Sequence, residues 1–236
     1  RTSITALMTG LALAATACTT PPPAEAPDTL AVTEAAPSPA PLRPGLVPKQ
    51  AGDSYYISAA AAVQARIDQR GLKPAKNVIL FIGDGMSIPT VTAARIYAGQ
   101  KRGIDGESYS LTMETLPSMA LSKTYSHDYQ VADSASTATA MTAGVKVNSG
   151  TLGVLKEANR SNCAATEGNG TDSLFELAER EGLATGIVST ARITHATPAS
   201  TYSETPNRDW ESDADLKGGD AGDCKDIARQ LIEWSA

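Results

Sequence analysis

The sequence predicts an α/β layered fold built on a largely parallel central sheet. The first indication is the segment 77–82, a short run of continuous apolar residues between Pro74 and Gly83. Continuous apolarity is typical of a strand covered on both faces, whereas a half-exposed strand alternates. The second is that stretches with helical patterning alternate with such runs. This order is typical of helices that cover the faces of a sheet.

The first predicted helix covers residues 54–71. Alanines at 59–62 favour a helix, Asp53 or Ser54 can cap its start, and Gly71 can end it. Apolar runs, helix-forming residues and glycine or proline breaks also predict the next elements. They are a strand at 77–82, a helix at 90–99 and a strand at 119–125.

Asp84 follows the first strand directly and is flanked by two glycines. We therefore expect it at the carboxyl end of a central strand, where open α/β sheets place their chemistry. The glycines let backbone or ligand approach closely. The alternative for Asp84 is an ordinary turn aspartate.

The helix predicted at 171–182 has a capping box, with Ser173 as N-cap and Glu176 three residues later, and Gly182 can end it. Three further elements follow: a strand at 184–188, a polar loop at 189–208 and a helix at 224–236.

The stretch 131–144 is dense in hydroxyls and alanines and holds a single acid, Asp133, directly before Ser134. Residues 135–143 favour a helix, and Asp133 or Ser134 would cap it. The free N–H groups at such a helix start form an anion site. We interpret Ser134 as a nucleophile that attacks a phosphate held there; the alternative is an ordinary capping pair.

Composition narrows the function further. The chain has 236 residues and a formal net charge of −6, which argues against nucleic-acid binding. It has only two histidines, His127 and His195. We interpret His127, in a polar loop, as a surface residue.

The amino-terminal residues predict export. Residues 1–17 contain an apolar run too short to span a bilayer, as in a signal peptide, and small residues precede Cys18. Because Ala15 stands where a lipoprotein box has leucine, lipidation of Cys18 and plain signal cleavage both stay open. Residues 18–50 are rich in Pro and Ala and predict a disordered tether, so 51–236 is the predicted catalytic region. We expect a periplasmic or cell-surface location, with the membrane reached only through a lipid at Cys18.

Cys163 and Cys224 are the remaining cysteines. In an exported protein an isolated pair favours a disulfide, and a metal site is the less favoured alternative.

The predicted strand ends bring Asp84, the Asp133–Ser134 pair and the loop 189–208 to one edge of the sheet. No histidine adjoins Ser134 in sequence, so its hydroxyl needs another means of deprotonation. A metal ion that coordinates the oxygen lowers its pKa. A carboxylate such as Asp84 binds such ions, and an arginine fork holds phosphate oxygens.

Five segments together resemble the signatures of alkaline phosphatases, nearer the animal type than the best-known enteric bacterial type. They are 77–86, 131–139, 194–199, 207–210 and 212–215. The resemblance implies a three-layer α/β/α sandwich, incomplete in this chain. It also implies hydrolysis of phosphate monoesters through a phosphoserine, with two zinc ions and one magnesium ion. A homodimer with the helix 54–71 near the partner is implied as well.

The resemblance assigns Ser134 as the nucleophile and a zinc ligand. It assigns Arg208 to grip the phosphate, with Asp133 orienting that arginine. The alternative for Arg208 is a surface salt-bridge partner. The spacing of Cys163 and Cys224 also resembles a disulfide of the family.

For the metal ions, the resemblance implies that Asp84 bridges zinc and magnesium and that Thr197 binds magnesium. It places His195 in or near the magnesium shell. The alternatives are a loop hydroxyl for Thr197 and a structural role for His195. We interpret Arg192 as structural, and Trp210 and Trp234 as core or interface residues.

Members of the family are about twice as long, and most of their zinc ligands lie in the half without a counterpart here. We therefore expect an amino-terminal part of a longer protein, inactive alone. Two alternatives stay open: a phosphodiesterase, phosphonate hydrolase or sulfatase on a similar fold, and a non-catalytic tethered protein that binds phosphate or metal.

Overall fold

A computed structural model describes residues 46–70, 75–116, 118–216 and 221–234 of the chain. Its α-helices are α1 (Ser54–Arg70), α2 (Ile88–Gln100), α3 (Ser134–Ala143), α4 (Leu174–Arg180), α5 (Ala196–Ala199) and α6 (Ile227–Glu233). Short 3-10 helices cover Lys49–Gly52, Thr112–Thr115 and Cys163–Thr166. Within these ranges no helix combines the length and apolarity needed to cross a bilayer.

The first three predicted helices are confirmed, with small shifts at their ends. Asp53 caps α1, since its Oδ1 accepts the backbone N–H of Tyr55 at 2.8 Å. The expected end of α1 at Gly71 lies outside the described residues. Helix α2 starts two residues earlier than predicted, at Ile88, because Pro89 is tolerated in a first turn that needs no N–H there.

The helix predicted at 171–182 is present as the shorter α4, and its capping box is confirmed. Ser173 Oγ accepts the N–H of Glu176 at 3.2 Å, while Glu176 Oε2 accepts the N–H of Ser173 at 2.6 Å. The helix predicted at 224–236 is also shorter, because Asp226 is its N-cap and accepts the N–H of Arg229.

The predicted polar loop 189–208 is wrong over residues 196–199, which form α5. Pro198 occupies the first turn of that helix, where the missing N–H breaks no intrahelical bond. His195 is therefore the N-cap of a helix instead of a loop residue.

The three segments predicted as strands form no ladder. Residues 77–82, 119–125 and 184–188 carry no strand assignment, and no strand occurs elsewhere in the described ranges. Most of their apolar side chains face solvent, since Phe81 is 89% exposed and Leu121 is 93% exposed. Ile187 is an exception and packs against the hydrophobic core. A strand is defined by hydrogen bonds to a partner, and no described segment offers these runs one. The predicted sheet is thus not confirmed by the described residues.

The core lies where α3, α5 and α6 meet. Helix α3 packs on α5 through small side chains, and Leu152 is fully buried between them and the following segments. Isolated antiparallel bridges join Leu152 to Thr205 and Val154 to Gly170. The buried members of this cluster are Ala135, Leu152, Ala196, Ala199, Tyr202 and Ile227.

A second, smaller cluster holds the end of α3. It consists of Ala143, Val145 and Val147, against which Tyr56 packs. Gln50 is buried beside it and donates from Nε2 to the carbonyl oxygens of Ala143 and Asp172, each at 2.9 Å. The segment before α1 is therefore docked on the core.

The predicted disulfide is confirmed, since Cys163 and Cys224 are bonded. Trp210 is buried, and Trp234 packs against the larger cluster, as predicted for core residues. His127 is exposed, as predicted, and its Nδ1 lies 3.3 Å from the hydroxyl of Tyr55.

Candidate active site

Ser134 is fixed at the first residue of α3 by the way this helix begins. Asp133 is the N-cap, and its Oδ1 accepts the N–H of Ser136 at 3.2 Å and the hydroxyl of Ser136 at 2.8 Å. Ala135 and Ala138 are fully buried and anchor the helix on the core. Ser134 is partly buried, with its side chain at the helix N-terminus.

Arg208 lies directly on this pair. Its Nη1 donates to Ser134 Oγ at 2.9 Å and to Asp133 Oδ2 at 3.0 Å. Its backbone N–H donates to the carbonyl of Gly150 at 2.8 Å, which fixes the base of the side chain. The guanidinium therefore bridges the predicted nucleophile and the carboxylate predicted to orient it.

Hydrogen bonds to the carboxylate of Asp133 stabilise its ionised form. Burial alone would raise the pKa of this carboxyl. Hydrogen bonds from the N–H of Gly150, from Ser136 and from Arg208 outweigh that effect and lower the pKa below its usual value. Asp133 is consequently a poor base for Ser134 and a strong partner for the guanidinium.

His195 joins this cluster to Asp84. Arg208 Nη2 lies 3.2 Å from His195 Nε2. Because a guanidinium nitrogen only donates, Nε2 accepts, and the neutral ring carries its hydrogen on Nδ1. Nδ1 is buried, has no hydrogen-bond partner among the described residues, and lies 3.9 Å from Asp84 Oδ2. Thr197 Oγ1 donates to the same Asp84 oxygen at 2.8 Å.

The structure thus brings all the predicted site residues into one connected set. They are Asp84, Asp133, Ser134, His195, Thr197 and Arg208. They come from the segment after the first apolar run, from the start of α3, from the start of α5 and from the loop before Trp210. The grouping predicted from strand ends is reproduced, although the described residues form no sheet.

These residues offer part of a metal site. The carboxylate of Asp84 and the hydroxyls of Thr197 and Ser134 are hard oxygen donors, which suit magnesium. The buried, partnerless Nδ1 of His195 faces the same carboxylate. Among the described residues, no group of three or more His, Cys, Asp or Glu side chains could hold a metal ion. The donor set therefore fits magnesium in part and falls short of two zinc sites.

Sequence reasoning missed three contributors. Ser136 and the backbone of Gly150 hold Asp133 and Arg208, and backbone contacts leave no signature in a single sequence. Glu211 accepts both a fork from Arg192 and the hydroxyl of Thr194. Arg192 is therefore structural, as predicted, but its partner was not foreseen. The only signal was an acid three residues after Arg208.

A serine at a helix start, held by an arginine and an ionised aspartate, defines a class of site that presents a nucleophilic oxygen to an oxyanion. Comparison with known proteins narrows the class. The alkaline phosphatase family model matches residues 75–235. The chain belongs to the alkaline phosphatase family.

Curated relatives agree with this assignment. An alkaline phosphatase of Gadus morhua is 53% identical over 161 residues, which are 67% of this chain and 34% of the relative. The tissue-nonspecific isozyme of Gallus gallus is 46% identical over 197 residues, which are 80% of this chain and 37% of the relative. The chain thus spans about a third of the length of these curated relatives.

Solved structures support the fold. Alkaline phosphatase from the Antarctic bacterium TAB5 is similar with a TM-score of 0.51 and 29% identity, over 69% of this chain and 38% of that one. A histidine variant of the same enzyme, with magnesium bound in its M3 site, gives the same TM-score, identity and shares covered. The chain therefore has an alkaline-phosphatase-like α/β fold.

Proposed function

We propose that this chain carries the nucleophile and the phosphate clamp of a metal-dependent hydrolase that acts on phosphate monoesters and releases inorganic phosphate. One observation carries the proposal: Arg208 Nη1 lies within hydrogen-bond distance of both Ser134 Oγ and Asp133 Oδ2. A guanidinium on the nucleophile is placed to hold the non-bridging oxygens of a phosphoryl group under attack.

In the proposed reaction, Ser134 Oγ attacks phosphorus in line with the leaving oxygen. The Oγ–P bond forms as the bond from phosphorus to the alcohol oxygen breaks. The proton lost by the Ser134 hydroxyl is balanced by one gained by the leaving oxygen, which leaves phosphoserine and the free alcohol. Water then attacks the same phosphorus, and the Oγ–P bond breaks to give inorganic phosphate and Ser134. Throughout, Arg208 neutralises the phosphoryl oxygens, and Asp133 keeps its guanidinium in place.

The residues around Ser134 do not supply a base. Burial raises the pKa of Asp133, but the hydrogen bonds that its carboxylate accepts lower it by more, so the net pKa is below the usual value. This carboxylate is therefore a weak proton acceptor. Nε2 of His195 is occupied by Arg208. A divalent cation, when bound, lowers the pKa of the serine hydroxyl and so supplies the missing activation. We propose Asp84, Thr197 and His195 as magnesium-site residues and Ser134 as a ligand of one of two zinc ions; metal analysis of the purified full-length protein tests these numbers.

The test is to trap the phosphoserine. The full-length protein is mixed with a ³²P-labelled phosphate monoester, quenched in acid and digested for mass spectrometry. We expect label on Ser134 in the wild type and none in Ser134→Ala, whose kcat falls by at least about a thousandfold. Label on another residue, or undiminished turnover of p-nitrophenyl phosphate by Ser134→Ala, would contradict the proposal. Turnover of bis(p-nitrophenyl) phosphate in place of the monoester would favour a diesterase.

We propose further that residues 77–82, 119–125 and 184–188 are strands of a largely parallel sheet in a three-layer α/β/α sandwich. The continuous apolar sequence of residues 78–82 and the likeness to a solved alkaline phosphatase support this. Hydrogen exchange in the full-length protein provides the test. Fast exchange of the amides of 78–82 would contradict it.

For the assembly and location, we propose a homodimer with α1 near the partner and an exported protein with residues 1–17 as signal and 18–50 as tether. Exposed apolar residues on α1, such as Val63, support the first. The Cys163–Cys224 disulfide supports an oxidising compartment. Sedimentation of the full-length protein tests the dimer. Mass spectrometry of its amino terminus shows whether Cys18 carries lipid.

A further inference from the structure

We propose that Glu211 is a positioning residue that sets the distance between His195 and Arg208 and thereby the grip of Arg208 on phosphate. The proposal rests on the function proposed above. It assigns a task to a side chain whose hydrogen bonds, within the described ranges, go to Arg192 and Thr194 and not to Ser134 or a predicted metal ligand.

The carboxylate of Glu211 accepts three hydrogen bonds from one turn. Arg192 donates to it as a fork, from Nε to Oε2 at 2.9 Å and from Nη2 to Oε1 at 2.5 Å. Thr194 Oγ1 donates to Oε2 at 2.6 Å. The same turn is closed by the N–H of His195, which donates to the carbonyl of Arg192 at 3.0 Å. Glu211 therefore holds the turn that ends at His195.

The backbone of Glu211 is anchored independently. Its carbonyl accepts the N–H of Ala228 at 3.1 Å, and the carbonyl of Trp210 accepts the N–H of Ile227 at 2.9 Å. Trp210 itself is buried. The main chain that carries the carboxylate is thus fixed to the start of α6. The carboxylate can therefore hold the turn 192–195 in a defined position.

These contacts join the segment 194–195 to the segment 208–211 at two points beside the active site. Arg208 lies three residues before Glu211, and His195 is the residue after Thr194. The two chain segments meet once at Thr194–Glu211 and again where Arg208 Nη2 lies 3.2 Å from His195 Nε2. Releasing the first contact lets His195 move away from Arg208 Nη2, so the guanidinium that bridges Asp133 and Ser134 loses one of the contacts that set its position.

Two possible roles of Glu211, as a negative charge and as a brace for the turn, predict opposite effects of its replacement on phosphate binding. Removing a negative charge near a phosphate site strengthens phosphate binding if charge alone matters. Removing a brace weakens it, because a misplaced donor loses its hydrogen bonds to the phosphoryl oxygens. Glu211→Gln makes both changes, whereas Thr194→Val leaves the charge intact and removes only the hydroxyl.

The test measures the inhibition constant of inorganic phosphate, kcat/KM for p-nitrophenyl phosphate and the melting temperature of the full-length protein. We expect Glu211→Gln and Thr194→Val each to raise the inhibition constant on the order of tenfold. Thr194→Ser, which keeps the hydroxyl, should retain most of the wild-type affinity. The matched control is Glu233→Gln. It also removes a carboxylate held by an arginine, Arg229 Nε at 2.7 Å, but on the exposed face of α6.

The outcomes separate cleanly. A lower melting temperature with an unchanged inhibition constant in both variants would overturn the positioning role, since it indicates a structural contact only. Tighter phosphate binding by Glu211→Gln with no effect of Thr194→Val would overturn it in favour of charge. If the wild type is inhibited by phosphate and turns over the monoester, either result leaves the proposed function intact. A wild type that does neither refutes both.

Discussion

Two leucines show how differently the two parts of this molecule are built. Leu152, between α3 and α5, is 0% exposed, whereas Leu121, in an apolar run, is 93% exposed. Both leucines lie in sequence of mixed polarity, Ala120-Leu121-Ser122 and Thr151-Leu152-Gly153, so the local sequence does not separate them. What separates them is the availability of partners. The region around α3 closes through caps, turns and two isolated bridges, while the runs at 77–82, 119–125 and 184–188 need ladders that no described segment supplies.

The candidate active site spans this difference. Ser134, Arg208 and Thr197 belong to the packed region, but Asp84 follows an exposed apolar run. Its carboxylate reaches the packed region through the hydroxyl of Thr197, at 2.8 Å. The nucleophile and phosphate clamp are thus held by well-packed elements, and the predicted metal-bridging carboxylate is held by one loop. Three pairs of substitutions sharpen the contrast.

The largest effect is expected from two glycines with the same backbone conformation. Gly153 has a φ of +60° and Gly85 a φ of +64°. Adding a methyl group costs each about 1 kcal/mol of backbone strain. At Gly153 the new Cβ would also collide with the carbonyl oxygen of Ser203, while at Gly85 it meets nothing within 4 Å. We expect Gly153→Ala to lower the free energy of unfolding of the 236-residue chain by about 4 kcal/mol, and Gly85→Ala by about 1 kcal/mol. Urea denaturation measures both.

Equal losses for the two glycine variants would mean that only the backbone conformation matters. They would also mean that the segment at Gly153 is no better packed than the loop at Gly85.

The next effect comes from the two leucines. Leu152→Ala removes a fully buried side chain and leaves a cavity, so we expect a loss of about 3 kcal/mol in the free energy of unfolding. Leu121→Ala should change the same quantity in the same chain by less than about 0.5 kcal/mol. Measuring Leu121→Ala in the full-length protein sharpens the comparison. A large loss there alone would show that the run is buried in the complete protein, as the proposed sheet requires.

How far the sequence predicts this molecule depends on the range of the interactions involved. The caps at Asp53, Asp133 and Ser173 were predictable because a side chain and an N–H two or three residues away decide them. The helix at 196–199 was missed because its sequence, with Pro198, resembles a loop. Strand pairing depends on distant partners, so apolar runs alone could not establish it.

In the candidate active site, too, local features were predictable from the sequence and long-range contacts were not. Residue types and the family signatures identified the six side chains, and the contacts among them agree with that grouping. The supports of Arg208 and Asp133 are a backbone carbonyl and a backbone N–H of Gly150, and the partner of a backbone group cannot be read from a single sequence. Glu211 was missed because its partners, Arg192 and Thr194, lie well over a dozen residues away along the chain.

The smallest of the three effects concerns charge, and it depends on pH. Asp172 is fully buried, and its carboxylate accepts from Arg180 and from the backbone N–H of Lys49. Burial alone would raise the pKa of Asp172, but these donors lower it below the ordinary 3.8. We expect Asp172→Asn to lower the free energy of unfolding of the 236-residue chain by about 2 kcal/mol at neutral pH, since it leaves buried donors without an ionised partner. Asp105→Asn, on the exposed loop after α2, should change it little.

The sign of the pH effect follows from that lowered pKa. The unfolded chain takes up a proton at Asp172 before the folded chain does, so the carboxylate stabilises the fold fully above pH 3.8. This contribution is lost as the pH falls through the lower pKa of the folded state. The gap in stability between wild type and Asp172→Asn should therefore be constant near neutral pH and narrow below 3.8, as urea denaturation at a series of pH values would show. A gap that stays constant into acid, or one that Asp105→Asn reproduces, would mean that the buried carboxylate is no more tightly held than the exposed one. The packed region would then owe its stability to apolar contacts alone.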